Sequence, residues 1–358
     1  MQLDADAERR LARIGWRAGP LPDDAPADAS VARVVAQHRA GYEIHDGTAA
    51  FNAQPAPRFL KRGIDPTERP AVGDFVLIVP ATPPQIERVL PRRTVLSRAA
   101  AGERHERQLI AANIDSVIVM NGLDGDLNAA RIERYLVLIG ESGATPVVVL
   151  TKADRAENAD AAVAALRVRA PHVEILAINA KSSESIAPLL RYLGPGDTAV
   201  LVGSSGVGKS TLTNTLLGEA RQATKAVREN DSRGRHTTTH RALIMLPSGG
   251  CLIDTPGMRE IKLTGEEDLA EGQFADIEAL AQQCRFGDCS HQSEPGCAVR
   301  AALEDGRLDP ERWQNYLKLR GELAAAADSL EAQMRRKGEA RVLTKALTRR
   351  LNEKYGPR

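Results

Sequence analysis

Nine residues, Gly203-Ser204-Ser205-Gly206-Val207-Gly208-Lys209-Ser210-Thr211, restrict the folds open to this chain more than any other stretch. Glycines set among small polar residues let backbone N–H groups turn inward around an anion. The apolar run Ala199-Val200-Leu201-Val202 precedes the loop, and a helix-like run, 211–217, follows it. Strand, phosphate-cradling loop and helix N-terminus in that order point to an α/β fold with the anion at the positive end of a helix. A Gly/Ser-rich surface loop is the competing reading, but it leaves the flanking strand and the Lys-Ser pair unexplained. On the phosphate reading, residues 203–211 line a nucleotide, Lys209 reaches its β- and γ-phosphates, and the Ser210 hydroxyl ligates magnesium.

Two further pieces belong to the same chemistry. Asp254-Thr255-Pro256-Gly257 closes a second apolar strand, Cys251-Leu252-Ile253. Asp254 is expected to hold magnesium through water, and the Gly257 N–H to meet the γ-phosphate. Between loop and strand lies Gly234-Arg235-His236-Thr237-Thr238-Thr239. A switch segment needs one Thr hydroxyl to complete the magnesium shell. The run does not say which; Thr238 is the candidate, and a plain β-strand start is the bland alternative.

Base selection is written upstream. Val147-Val148-Val149-Leu150 reads as a buried parallel strand ending at Thr151-Lys152-Ala153-Asp154. Two carboxylate oxygens on Asp154 match the N1–H and 2-amino donors of guanine. Adenine would leave that carboxylate unpaired, at a cost of about 1.5–3 kcal/mol for a lost charged hydrogen bond. The Lys152 stem can lie along the ring plane, and Thr151 stands where Asn is usual. The next strand, 174–178, ends at Asn179-Ala180-Lys181. This resembles the loop of guanine-nucleotide proteins whose backbone N–H meets guanine O6.

Near the C-terminal end, Cys284-x4-Cys289-x-His291-x5-Cys297 offers three thiolates and an imidazole, a set suited to a closed structural zinc site. Disulfides are the weaker reading, because three cysteines leave one over and no signal peptide opens the chain. The fourth cysteine, Cys251, reads as a buried apolar residue.

Small GTPases ordinarily run phosphate loop, switch, Asp-x-x-Gly, Lys-x-Asp, Ala-Lys. Here Lys-x-Asp and Ala-Lys come first. The order, the Gly234–Thr239 run, the cysteine cluster and Ala111-Ala112-Asn113-Ile114-Asp115 together resemble the RsgA family, also called YjeQ or YloQ, of circularly permuted GTPases. The resemblance spans about residue 30 to at least 300. It implies an OB-fold near the N-terminus, GTP hydrolysis to GDP stimulated by the small ribosomal subunit, and a role late in assembly of that subunit through its rRNA. The permutation also tethers the C-terminal module to the second switch, so nucleotide state can reposition it. Met258 stands where many GTPases carry a water-orienting Gln, which predicts slow intrinsic hydrolysis. His236 is the candidate replacement, or else a surface residue contacting RNA.

Residues 30–95 hold short alternating runs (30–35, 41–44, 72–79 and 86–90) broken by Gly, Pro and Asp, the pattern of a small β domain. The chain is near neutral at +1, yet residues 30–107 carry twelve Lys/Arg against eight Asp/Glu, and 306–358 carry thirteen against seven. Basic ends around an acidic centre suit a phosphate-rich partner. Arg58, Lys61, Arg62, Arg92, Arg93 and Arg98 are candidate contacts, with ordinary solvated arginine as the alternative. Aromatics at 3% leave little for base stacking. Trp313, Leu317, Leu319 and Leu323 are helix-spaced, and a basic tail (335–337, 349–350) either lies against RNA or is a solvated helix.

The expected architecture is a multidomain α/β chain. It runs from a flexible extension (1–29) with an amphipathic piece at 11–16, through an OB-like barrel (30–105) and a permuted P-loop GTPase domain (106–275), to a zinc-binding helical domain with a basic tail (276–358). No apolar run approaches the roughly 18–20 residues that span a bilayer, so a cytoplasmic monomer with no membrane partner is expected. A permuted GTPase acting on another RNA, and a non-hydrolysing, GTP-dependent RNA-binding scaffold, are the rival readings.

Overall fold

A computed structural model describes residues 3–17, 19, 21–61, 63–99, 107–218, 241–255, 263–265, 267–269 and 272–328. They fall into two compact units, one of Met1–Arg98 with Gln108–Ile261, the other of Ala99–Arg107 with Lys262–Arg358.

The first unit opens with helix α1 (Ala5–Ala12), capped by the Asp4 carboxylate, which accepts from the Ala7 N–H at 2.7 Å. Five strands follow: β1 (Ser30–His38), β2 (Gly41–His45), β3 (Ala50–Pro55), β4 (Phe75–Val79) and β5 (Gln85–Val89). They pair in the order β1-β2-β3-β5-β4, and β4 returns to β1, closing a barrel. Closure removes the free edges that would invite aggregation. Alternation fills the inside: Tyr42 and Ile44 of β2 meet Ala32, Val34, Val76 and Ile86. The five-stranded barrel is the one expected. Part of its outer wall is also covered, since Val31, Phe75 and Leu77 pack against Leu11 and Ile14. The amphipathic piece near residue 11 therefore has a partner surface, and Trp16 sits edge-on to Phe75 at 4.9 Å.

A two-stranded ladder, β6 (Val95–Ala99) with β7 (Arg107–Ala112), leads out of the barrel. Then come β8 (Ser116–Gly122), α2 (Ala129–Gly140), β9 (Thr145–Thr151), α3 (Ala159–Arg169), β10 (Glu174–Ala177), β11 (Thr198–Gly203), α4 (Lys209–Leu217), β12 (Ala242–Met245) and β13 (Cys251–Asp254). The strands order β10-β9-β8-β11-β13-β12, all parallel except β12. Period-two alternation divides each central strand between two cores. Val117, Val119, Val148 and Val200 join Tyr135 and Leu136 of α2 on one face. Ile118, Met120, Val149 and Leu201 join Leu212 of α4 on the other. The chain winds one way from β8 to β10 and the other way from β11, which puts the switch point, where open α/β sheets take ligands, between β8 and β11.

Barrel and parallel sheet share one ladder, because β12 also pairs with β1 at Ala36↔Ala242. Arg33 of β1 reinforces the join. Its side chain is fully buried and donates to Gly73 O at 3.1 Å, Asn113 O at 2.8 Å, Thr198 Oγ1 at 2.8 Å and Ile14 O. Asn113 itself stands at φ +52, a left-handed conformation that Asn tolerates better than most residues. Its Nδ2 donates to Gly73 O and its Oδ1 accepts from the Arg93 N–H.

The second unit is helical: α5 (Ala275–Ala281), α6 (Ala298–Glu304) and α7 (310–328). Trp313, Tyr316, Leu319 and Leu323 form the buried stripe of α7, so Tyr316, not the half-buried Leu317, fills the turn after Trp313. Among the described residues, no helix is long and apolar enough to cross a membrane.

Candidate nucleotide site and metal centre

The loop 203–208 leaves β11 in three left-handed steps, with φ of +144 at Gly203, +80 at Gly206 and +102 at Gly208. Gly203 has a second reason to lack a side chain, since a Cβ there would lie 2.4 Å from Met120 O. Val207 is buried and anchors the loop, Ser204 is half-buried, and Ser205 is exposed. Lys209 begins α4 and is only 8% exposed; its ammonium donates to Gly203 O at 2.6 Å and Ser204 O at 2.7 Å. Burial lowers its pKa from the ordinary lysine value, and the Asp254 carboxylate opposes that shift. Asp254 ends β13, where its register partner on β11 is Leu201. Next to it the Thr255 hydroxyl donates to Leu201 O at 2.5 Å. Ser210 is exposed and Thr211 half-buried on the first turn of α4. Gly257, Met258, His236 and Thr238, with the rest of 234–239, lie outside the described residues.

Thr151, Lys152, Ala153 and Asp154 leave the carboxyl end of β9, two strands from the loop. Thr151 is fully buried, and its hydroxyl donates to Val207 O at 2.6 Å, joining the two motifs directly. The Ala153 N–H donates to Ile178 O at 3.1 Å, and the Thr215 hydroxyl of α4 donates to Ala180 O at 2.7 Å. Asn179 folds its own turn, with its Oδ1 accepting from the Lys181 N–H at 3.0 Å. Three motifs spread between Thr151 and Thr215 are thus stitched together along one sheet edge. Asp154 is exposed, and among the described residues its carboxylate has no partner. Sequence reasoning passed over the loop after β8, whose Asp124 accepts from the Lys152 ammonium at 2.5 Å. Its place at the end of the strand between the two motif strands was the available signal.

On the barrel, Arg58, Lys61, Arg88 and Arg92 border a groove with Phe59 and Ile64. Most of their charge is engaged within the protein. Arg92 makes a two-point pair with the buried Asp74, at 2.7 Å on each oxygen, and also donates to Thr67 O and Arg69 O. Arg88 pairs with Asp24, Arg58 with Glu87, and Arg93 with Asp115. Arg98 donates to Gln108. The Arg92 guanidinium is thus taken up by the protein itself, on Asp74 and two carbonyls. Lys61 and Arg93 are the exposed members of the set, and Arg62 lies outside the described residues.

In the second unit Cys284, Cys289, His291 and Cys297 bring their ligand atoms within 4.8 Å of one another and could hold a metal ion. The His291 Nδ1 is 3.5 Å from the sulfurs of both Cys284 and Cys297, which are 3.9 Å apart. The Trp313 ring meets the His291 ring edge-on at 5.6 Å.

A phosphate loop, a base motif earlier in the chain and a shared sheet edge, joined to a five-stranded barrel, define a circularly permuted P-loop GTPase. Residues 89–264 match the RsgA GTPase family model. A small ribosomal subunit biogenesis GTPase RsgA from Xanthomonas campestris pv. campestris (strain B100) is 57% identical over 335 residues, covering 90% of this chain and 91% of that protein. The chain belongs to the RsgA GTPase family. A namesake from Xanthomonas oryzae pv. oryzae (strain MAFF 311018) is 56% identical over 334 residues, with 90% and 91% covered. Among solved structures, YjeQ from Thermotoga maritima superposes with a TM-score of 0.60 at 27% identity, over 83% of this chain and 99% of that one. YloQ, a circularly permuted GTPase, shares the fold with a TM-score of 0.57 at 23% identity, over 86% of this chain and 98% of that one.

Proposed function

We propose that this chain hydrolyses GTP to GDP and phosphate, is stimulated by the small ribosomal subunit, and acts late in that subunit's maturation through its rRNA. The observation that carries the reading is the stitching of Thr151 to Val207 beside Lys209 and Asp254, which gives one ligand a base end and a phosphate end. Backbone N–H groups of 203–208 and the N-terminus of α4 receive the phosphates. Lys209 exchanges its two carbonyl acceptors for phosphate oxygens. Asp154 reads the guanine edge, and 179–181 close over O6.

A hydroxyl and a carboxylate, Ser210 and Asp254, are oxygen donors of the kind magnesium takes, with the Thr238 hydroxyl as the switch contribution to the ion and the Gly257 N–H meeting the γ-phosphate. What the ion supplies when bound is neutralisation of charge on the phosphate oxygens. For the Cys/His cluster we favour one structural zinc. Tetrahedral coordination with Zn–S of about 2.3 Å and Zn–N of about 2.0 Å sets S···S near 3.8 Å and S···N near 3.5 Å. The separations of 3.9 and 3.5 Å fit that geometry. The reading places the protein in the cytoplasm, as a monomer on its ribosomal partner.

The test is GTP turnover with and without purified small subunits, with cosedimentation in GTP-analogue and in GDP. Stimulation by small but not large subunits, and retention that follows the nucleotide, are expected. Equal turnover in every arm would sink the reading.

A further inference from the structure

We propose that Asp124 is a positioning residue for the nucleobase. By holding the Lys152 ammonium, it lays that side chain's aliphatic stem where the flat face of guanine rests, and it keeps Lys152 away from Asp154. The proposal rests on the reading of 151–154 as the base motif.

The geometry begins in the ladder. β8 ends at Gly122, in register with Thr151, and the Leu123 N–H adds one more bond, to Thr151 O at 2.9 Å. The chain then doubles back. Gly122 allows this because a Cβ there would lie 2.5 Å from the Asp124 carboxylate. The Asp124 side chain thereby reaches Lys152, which stands at φ +61, a left-handed conformation unfavourable for a residue with a side chain. Both side chains are only about a third exposed, 28% for Lys152 and 31% for Asp124.

A lysine stem is flexible, and an untethered ammonium would sample many rotamers that the base must then freeze out. It would also have a carboxylate within reach two residues on, in Asp154. A Lys152–Asp154 pair would occupy the very acceptor that reads guanine. The pairing with Asp124 divides the motif's charges, so that one is tethered from outside and the other is left to the ligand.

The experiment measures binding of fluorescent GDP, with unlabelled GTP and ATP as competitors, together with steady-state GTP turnover. Asp124→Asn is expected to weaken GDP and GTP equally, by about two- to fivefold for a part-exposed pair. The loss should fall on KM rather than on kcat, and Asp124→Glu should restore part of it. In a Lys152→Met background, Asp124→Asn should cost nothing further. Unchanged or tighter binding by Asp124→Asn, or an undiminished loss in the Lys152→Met background, overturns the proposal. Preference of the unaltered protein for ATP would instead remove the base motif itself, a distinct failure that takes the proposal with it.

Discussion

Thr151 stands where Asn is usual, and one hydroxyl is enough to reach Val207 O. Thr151→Val keeps the shape but leaves a buried carbonyl unpaired, which costs about 1–3 kcal/mol. Nucleotide affinity should fall at least fivefold in titration calorimetry, while Thr151→Ser stays within about twofold. Lys209 makes a prediction in pH. Its pKa is lowered by burial, so it loses its proton before a solvent-exposed lysine would. Triphosphate affinity should therefore decline as pH rises toward the ordinary lysine range, starting below it. The linkage for folding runs the opposite way. The unfolded chain binds the proton more tightly in that window, so the ligand-free fold gains stability as pH rises through the lowered pKa. Affinity and melting temperature followed from pH 7 to 10 should diverge, and a parallel fall would contradict the assignment.

At the scale of elements, the pair of Arg92 on Asp74 fixes the segment between β3 and β4 to the barrel. Removing one partner strands the other's charge in the interior, which typically costs about 3–5 kcal/mol. Arg92→Ala should lower chemical-denaturation stability by that amount, whereas a change in RNA affinity alone would return Arg92 to the surface contacts. The metal cluster makes a second prediction. Its four residues sit in 14 residues of turn, where on the proposed zinc reading coordination would stand in for a core. Chelation should unfold the 284–297 segment, and Cys289→Ala should release the metal. These cases also mark what was legible in advance. The phosphate loop, the base motif and the Cys/His set act through local spacing, which a sequence displays. The barrel showed in its alternation. Arg92, Asp124 and Arg33 take their roles from partners 18, 28 and up to 165 positions away, which no local pattern encodes.

Across the whole molecule, each unit carries one tryptophan, Trp16 in the first and Trp313 in the second. They report separately. Chelator should move the Trp313 signal, read in a Trp16→Phe background, and leave Trp16 fluorescence in the Trp313→Phe protein unchanged. Arg33→Met takes the donor from Ile14 O, Asn113 O and Thr198 Oγ1, leaving Gly73 O to Asn113 alone, and should lower the Trp16 transition by at least about 3 kcal/mol as one cooperative step. Two resolved steps would mean that barrel and parallel sheet fold independently.

The single rung at Ala36↔Ala242, with the buried guanidinium behind it, bears on any attempt to dissect this protein. A fragment cut out as 30–105 would part Arg33 from Ile14, Asn113 and Thr198, leaving a buried cation with Gly73 O alone of its four acceptors, and would remove the rung at Ala36. Such a piece is not a portable cassette. Grafts and truncations that keep the strand from Ser116 to Gly122 and everything N-terminal to it, together with the strands that end at the phosphate loop and Asp254, retain what the barrel leans on.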